Sequence, residues 1–274
     1  MRASNGSDVA DEQTSSRAAI VDGWTINLSE LKSAVSTIVD SARRGEGFTC
    51  LTLNLDHLVK LRNEARFRRA YSSARFVTAD GAPVAALARR QWSAVRRTTG
   101  ADMLIPLSLA AAEHNIPIYL FGTSDSVLEG AAAELKKRSD GKLIIAGMES
   151  PPQGFDVEGA EADAVIERIR QSDAGLCFVL LGAPKQEIFS MRAIEAGVEC
   201  GFICAGAAAD FIVGHQRRAP AAMQVMGLEW LWRLASNPHR LGMRYARCAV
   251  VFALVAGAEV SRAISRKTAE WRPG

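Results

Sequence analysis

Short apolar runs alternate along the chain with longer segments in which apolar residues recur every three or four positions. The runs predict strands at residues 24–28, 48–55, 76–78, 117–121, 143–146, 175–181 and 199–204. The longer spacing predicts helices after residue 29, after residue 57, and at residues 127–138, 160–171 and 186–196. Regular alternation with short connections predicts an α/β fold, Rossmann-like, with a largely parallel sheet covered by helices on both faces.

Polar residues follow several of these predicted strands directly. Asn54, Asp56 and His57 follow the second strand, and Asp80 follows the third. Open α/β sheets bind ligands outside the carboxyl ends of their strands, so we expect a site at this edge.

The segment at residues 179–187, Val-Leu-Leu-Gly-Ala-Pro-Lys-Gln-Glu, shows the same arrangement most clearly. Gly182 and Pro184 end the apolar strand, and Lys185, Gln186 and Glu187 then emerge together. This pattern indicates ligand contacts at a strand end. An ordinary strand-to-helix turn, with an acidic residue complementing the helix dipole, is the alternative interpretation.

Composition and charge divide the chain into three parts. With 48% apolar and 23% charged residues, the chain is typical of a globular protein. Residues 1–18 lack apolar periodicity and a secretory apolar region, which predicts a disordered N-terminus on a cytoplasmic protein. Residues 19–215 are the predicted α/β core, and residues 216–274 are a helical C-terminal appendage.

The net charge of +3 is unevenly distributed. From His215 onward there are ten basic and three acidic residues, so this part carries +7 and the preceding part −4. Apolar residues at helical spacing accompany the arginines, which predicts an interfacial helix on an anionic membrane surface. The run at residues 249–260 has only twelve residues, so we expect it not to cross the membrane. A core-packing helix with a basic end is the alternative, and no recognition-helix signature supports nucleic acid.

The five cysteines predict no disulfide framework. Their number is odd, and four lie in strongly apolar surroundings, as reduced core cysteines do. Cys200 and Cys204 have no second pair at zinc-site spacing.

Several motifs together resemble the WecG/TagA/CpsF family of bacterial glycosyltransferases, glycosyltransferase family 26. The matching residues are Thr52 to Asp56, Ala79-Asp80-Gly81, Arg97 to Asp102, Phe121-Gly122, Gly182 to Glu187, Arg218-Ala219-Pro220, and Gly227 to Leu234 followed by Pro238 and Arg240. The resemblance implies an enzyme of cell-surface polysaccharide synthesis that builds on lipid-linked sugars. It further implies inverting transfer of a hexose or hexosamine-type sugar from a UDP-sugar to an undecaprenyl-diphosphate-linked saccharide, with no cofactor and no essential metal.

The resemblance also implies roles for single residues near the second and third strands. Asp80 matches the family's catalytic aspartate and is expected to be the general base on the acceptor hydroxyl. Thr52 matches the strand-end threonine, and Asn54 lies on the same strand face, so both are expected to orient a substrate. Asp56 stands where many relatives carry glutamate, and its role stays open.

The remaining positions are expected to bind the donor and the lipid. Arg97, or its neighbour Arg96, suits the donor pyrophosphate, and Asp102 is expected to hold the arginine or the acceptor. Gly122 and Thr123 are expected to contact phosphate or ribose, and Lys185, Gln186 and Glu187 complete the nucleotide site, with Gln186 on the base or ribose. The arginines assigned to the lipid diphosphate and membrane are Arg218, Arg233, Arg240, Arg244 and Arg247.

Other functions remain open. A Rossmann-type dehydrogenase or nucleotide hydrolase is disfavoured because the phosphate-loop fingerprints are absent from the sequence. A non-catalytic scaffold that binds nucleotide-sugars in a polysaccharide-assembly complex is the second alternative. Removing residues from about 228 onward is expected to leave a folded core with poor activity on lipid-linked acceptor. The exposed apolar surface of the appendage also allows a homo-oligomer in solution.

Overall fold

The computed structural model describes residues 17–236 and 238–270, without the side chains of Ala221, Val225, Arg233, Ser236, Arg240 and residues 262–270. Of the predicted disordered N-terminus, residues 1–16 lie outside the described residues.

A six-stranded parallel sheet forms the centre of the described chain, in the order β4-β3-β8-β7-β5-β6. Its strands are β3 (Phe48–Leu53), β4 (Phe76–Ala79), β5 (Ile118–Gly122), β6 (Ile145–Glu149), β7 (Leu176–Leu180) and β8 (Gly201–Cys204). A separate antiparallel hairpin precedes them, formed by β1 (Ala19–Val21) and β2 (Trp24–Ile26). The predicted α/β class and parallel sheet are confirmed.

Helices cover both faces of the sheet. In chain order they are α1 (Leu31–Arg43), α2 (Leu55–Asn63), α3 (Ala65–Ser72), α4 (Ala82–Arg89), α5 (Gly100–Glu113), α6 (Asp125–Arg138), α7 (Ala160–Gln171), α8 (Lys185–Glu195), α9 (Ala208–Ile212), α10 (Ala221–Val225), α11 (Glu229–Ser236) and α12 (Pro238–Glu270). The sheet packs against α1, α5, α6 and α9 on one face, and against α2, α3, α4, α7 and α8 on the other. In β5, Leu120 packs on the first face and Phe121 on the second, as strand alternation requires.

The sequence pattern located most elements but not all. The hairpin strand β1 and the helices α4 and α5 were not predicted, and β6 lies two to three residues later than expected. In α5 the small residues and the internal Pro106 obscure the helical spacing. All five cysteines are buried as free thiols, which agrees with their assignment to the core.

The C-terminal helix α12 is longer and more apolar than the sequence analysis indicated. A stretch of 21 residues, Leu241–Ser261, has a mean hydropathy of 1.4 and is long enough to cross a membrane by length and composition alone. The count of twelve residues was too short because the helix continues through Arg244 and Arg247. One face of α12 packs against α2, where Val251 and Val255 join the core cluster around Leu58.

Candidate active site

Asp80 stands directly after β4, where two other predicted site residues meet it. Its backbone N–H donates to the Leu53 carbonyl at 2.8 Å, and Gly81, with φ of 87°, turns the chain into α4. The Asn54 amide and the Thr52 hydroxyl approach the same carboxylate oxygen, Oδ2, at 3.2 and 3.5 Å. The parallel pairing of β3 with β4 places these residues side by side. Two donors on one oxygen orient a half-exposed carboxylate at the carboxyl edge of the sheet.

A buried pair of side chains, His57 and Tyr71, supports the carboxyl end of β3. His57 Nδ1 lies 2.7 Å from the Thr52 carbonyl and 2.7 Å from the Tyr71 hydroxyl, which itself donates to that carbonyl at 2.8 Å. Burial lowers the pKa of His57 to about 4, so the ring is neutral at physiological pH. His57 is therefore a structural support of β3, since its buried ring bonds to the Thr52 carbonyl and the Tyr71 hydroxyl inside the protein.

Arg97, Asp102 and Arg218 gather beside Asp80 with Glu229, to which the sequence analysis gave no role. The Thr98 N–H donates to the Ala79 carbonyl at 2.8 Å, which holds this segment against the end of β4. Arg97 Nη1 lies 3.0 Å from Glu229 Oε2 and 3.6 Å from Asp102 Oδ2. Arg218, assigned to the lipid side from the sequence, donates instead to Asp102 Oδ1 at 2.8 Å.

The N-terminus of α5 fixes Asp102 in this cluster. A capping box joins Thr99 and Asp102, in which each side chain accepts the backbone N–H of the other, at 3.1 and 3.0 Å. Burial opposes ionisation of Asp102, but the hydrogen bonds from Arg218 and Thr99 and the charge of Arg97 outweigh it and lower its pKa. Gly100 permits the approach to β8, because a Cβ there would lie 2.6 Å from the Cys204 carbonyl oxygen.

At the carboxyl ends of β5 and β7 the sheet has a topological switch point, the position at which open α/β sheets form a ligand-binding crevice. The helix after β5, α6, packs on one face of the sheet, while the helix after β7, α8, packs on the other. Gly122 is required at its wall, since φ is 125° and a Cβ would lie 2.5 Å from the Leu180 carbonyl oxygen. Thr123 follows with φ of 45° and donates from Oγ1 to Asp210 at 3.3 Å, while His215 Nδ1 lies 3.1 Å from the other Asp210 oxygen. Asp210 and His215 were not predicted as site residues, because their partner Thr123 lies about ninety positions away.

The polar side chains that follow β7 do not converge on one point. The Ala183–Pro184 peptide is cis. Lys185 is exposed and its Nζ donates to the Phe155 carbonyl at 2.7 Å. Gln186 is buried, accepts the Gly206 N–H at 2.9 Å and donates to Glu187 at 2.9 Å. Gln186 therefore braces the loop after β8, and its predicted contact with the nucleotide stays a prediction.

Glu187 is a fully buried carboxyl group. Among the described residues its Oε1 accepts the Gln186 amide, while Oε2 has no hydrogen-bond partner. Burial raises the pKa of this carboxyl to about 7, against the lowering effect of the Gln186 hydrogen bond.

The arginines of α12 differ in their surroundings. Arg244 binds Asp56 of α2 through two nitrogens, since its Nη2 lies 2.7 Å from Oδ2 and its Nε lies 2.7 Å from Oδ1. Lys60 contacts the same carboxylate. Burial of Asp56 is outweighed by the Lys60 hydrogen bond and the Arg244 charge, which together lower its pKa. Arg247 is exposed. The side chains of Arg233 and Arg240 lie outside the described residues.

The appendage passes directly beside Asp80. Gly227 has φ of 73°, and a Cβ there would lie 2.4 Å from the Cβ of Ala82, two positions after Asp80. Gly227 therefore allows the chain to reach Glu229 and its ion pair with Arg97.

Comparison with known families gives a match over most of the chain. A family model described as "Glycosyl transferase WecG/TagA/CpsF family" matches residues 20–266. The match includes the sheet, the residues around Asp80 and most of α12. The chain therefore belongs to the WecG/TagA/CpsF family of glycosyl transferases.

Proposed function

We propose that this protein transfers a hexose or hexosamine-type sugar from a UDP-sugar to an undecaprenyl-diphosphate-linked saccharide, with inversion and without an essential metal. Family membership supports the broader part of this proposal, a glycosyltransferase of cell-surface polysaccharide synthesis. The observation that carries the finer part is the Asp80 carboxylate, which Thr52 and Asn54 hold at the carboxyl edge of the sheet.

The chemistry is a single displacement. The acceptor hydroxyl oxygen bonds to the anomeric carbon, the bond from that carbon to the UDP oxygen breaks, and its electron pair leaves with UDP. Asp80 takes the proton of the attacking hydroxyl, which makes that oxygen a better nucleophile. One displacement inverts the anomeric configuration, as in glycosidases that use no covalent intermediate.

The donor is assigned to the crevice between β5 and β7. Gly122 lets the chain turn tightly against β7 there, which brings Thr123 and its partner Asp210 to the strand end. The crevice lies at the point where the connections from neighbouring strands diverge, which is where α/β sheets bind nucleotides. Arg97 supplies positive charge toward the leaving diphosphate.

The acceptor is assigned to the membrane side of the appendage. On α12 the side chains of Met243, Val250, Phe252, Leu254 and Val260 are exposed and apolar. An adjacent face of the helix is held on α2 by Val251, Val255 and the Arg244–Asp56 pair. A helix held in this way presents its apolar face to a membrane surface, so we place the enzyme peripherally on the cytoplasmic leaflet.

Transfer assays with a panel of UDP-sugars and a short polyprenyl-diphosphate saccharide, in EDTA, test the proposal. Wild type is compared with Asp80→Asn and with Asp173→Asn, a turn residue with φ of 55° that asparagine also tolerates. We expect transfer that is retained in EDTA and in Asp173→Asn and is lost in Asp80→Asn. UDP binding without transfer from any donor would instead favour the non-catalytic scaffold.

A further inference from the structure

The four charged side chains beside Asp80 form a closed arrangement of two cations and two anions. Glu229 Oε2 lies 3.0 Å from Arg97, and Glu229 Oε1 lies 4.0 Å from Arg218. Asp102 contacts the same two guanidinium groups through its two oxygens, at 3.6 and 2.8 Å. Each carboxylate therefore spans both arginines, which is also how a phosphate group bridges a guanidinium pair.

The two carboxylates are attached to the protein very differently. Asp102 is fixed at the N-terminus of α5, where the Thr99 N–H binds it. Glu229 stands in the first turn of α11, a helix of eight residues in the appendage that begins just after the Gly227 turn. Arg218 is held independently of Glu229, since its guanidinium also lies over the Phe211 ring at 5.5 Å. Of the two anions, Glu229 is the one that can leave without dismantling the core.

We infer that Arg97 and Arg218 form one diphosphate site, and that Glu229 occupies it as an internal anion until a diphosphate displaces it. This inference rests on the proposed function, in which donor and acceptor both carry a diphosphate. The four charges sum to zero, so an entering diphosphate gains full attraction to the arginines only when Glu229 withdraws. Diphosphate binding thereby releases α11 from the site and couples the appendage to the state of the substrates.

Calorimetric titrations of the full chain test this inference, with UDP and farnesyl diphosphate as separate probes. The variants are Glu229→Gln, which keeps the shape and removes the charge, and Glu113→Gln, an exposed control at the far end of α5. We expect Glu229→Gln to bind at least one probe up to about fivefold more tightly than wild type and the control. The gain should shrink with added salt, because the competing ion pair is partly exposed. The probe that responds identifies donor or lipid as the source of the diphosphate.

Hydrogen exchange on wild type gives a second measurement that needs no variant. The amides of α11 should exchange faster when the responding diphosphate is bound, because Glu229 has left its partners. Unchanged or slower exchange in α11 would overturn the inference, and so would equal affinity in Glu229→Gln and Glu113→Gln. If the two variants bind with equal affinity while wild type still transfers sugar, the inference fails and the proposed function stands. If no protein binds either probe, the inference and the proposed function both fail.

Discussion

The Asn54 side chain makes two contacts, one with the first turn of α2 and one with Asp80. Its Oδ1 accepts the His57 N–H at 2.9 Å and caps α2, while its Nδ2 donates to Asp80 at 3.2 Å. Asn54→Asp keeps the cap, because aspartate is an equally good N-cap residue, but it replaces the donor with a second negative charge. We expect the cap of α2 to be retained, so that any loss in the free energy of unfolding comes from repulsion between the two carboxylates.

Transfer by Asn54→Asp should fall by at least about tenfold, since the variant loses the amide that donates to Asp80 and places a second negative charge beside the proposed general base. Asn54→Ala, which removes both the cap and the donor, is the comparison. Unchanged activity in Asn54→Asp would contradict the role given to the Asn54 amide.

Glu187 makes a pH-dependent contribution to stability. Its pKa is about 7 in the folded protein and lies near 4.5 when exposed, so the folded state binds the extra proton between these values. A raised folded pKa means that the stability is fully present below pH 4.5 and is lost as pH rises through 7. Relative to Glu187→Gln, wild type should lose about 2–3 kcal/mol between pH 5 and pH 8. Urea unfolding of both proteins across this range measures the difference, and parallel curves would show that the carboxyl titrates alike in the folded and unfolded states, so that its pKa is not raised.

Among the secondary-structure elements, the turn after β5 depends on one glycine. In Gly122→Ala the new Cβ meets the Leu180 carbonyl oxygen at 2.5 Å while φ stays at 125°. We expect a loss of at least about 2 kcal/mol in stability and displacement of Thr123 from Asp210. Gly141→Ala is the matched control, because φ is 76° there but no atom lies within 4 Å of the new Cβ. Thermal unfolding should show a larger loss of stability in Gly122→Ala than in Gly141→Ala. Equal losses would mean that the positive φ alone, without the steric contact, accounts for the loss.

For the whole molecule, the position of α12 determines how the enzyme meets a membrane. Truncation from about residue 228 would remove Val251 and Val255 from the core cluster and so would disturb α2 as well. Substitutions on the exposed face test membrane binding more cleanly. Val250→Asp with Leu254→Asp should reduce binding to anionic vesicles by at least about tenfold, since each buried aliphatic side chain contributes about 1.5–3 kcal/mol. Flotation assays measure this.

The control for that experiment is Met148→Asp, which changes an exposed apolar residue on β6. It should bind vesicles as wild type does, because β6 lies at the sheet edge farthest from β4 in strand order. Equal loss in Met148→Asp would point to general aggregation on lipid, and full binding by the α12 variant would contradict the surface assignment.

Local pattern was sufficient for the fold class of this protein and for most of its strands and helices. Strand runs such as β7 are apolar throughout because both of their faces are buried, and helix periodicity reports the single buried face of α7. The same logic placed Asn54 and Asp80 at one edge of the sheet, since parallel neighbours bring their carboxyl ends together, whereas Thr52 was identified through the family resemblance. These signals are encoded within about ten residues of chain, so the sequence contains them directly.

Tertiary structure alone decided which charges meet across long separations. Arg97 and Glu229 are 132 positions apart, Arg244 and Asp56 188 positions apart, and Thr123 and Asp210 87 positions apart. The residue types of Gln186 and Glu187 predict ligand contacts, but the sequence gives no sign that both side chains are buried on α8. An ion pair has no periodicity, and the direction of a side chain depends on the packing of its element, so neither can be deduced from neighbouring residues along the chain.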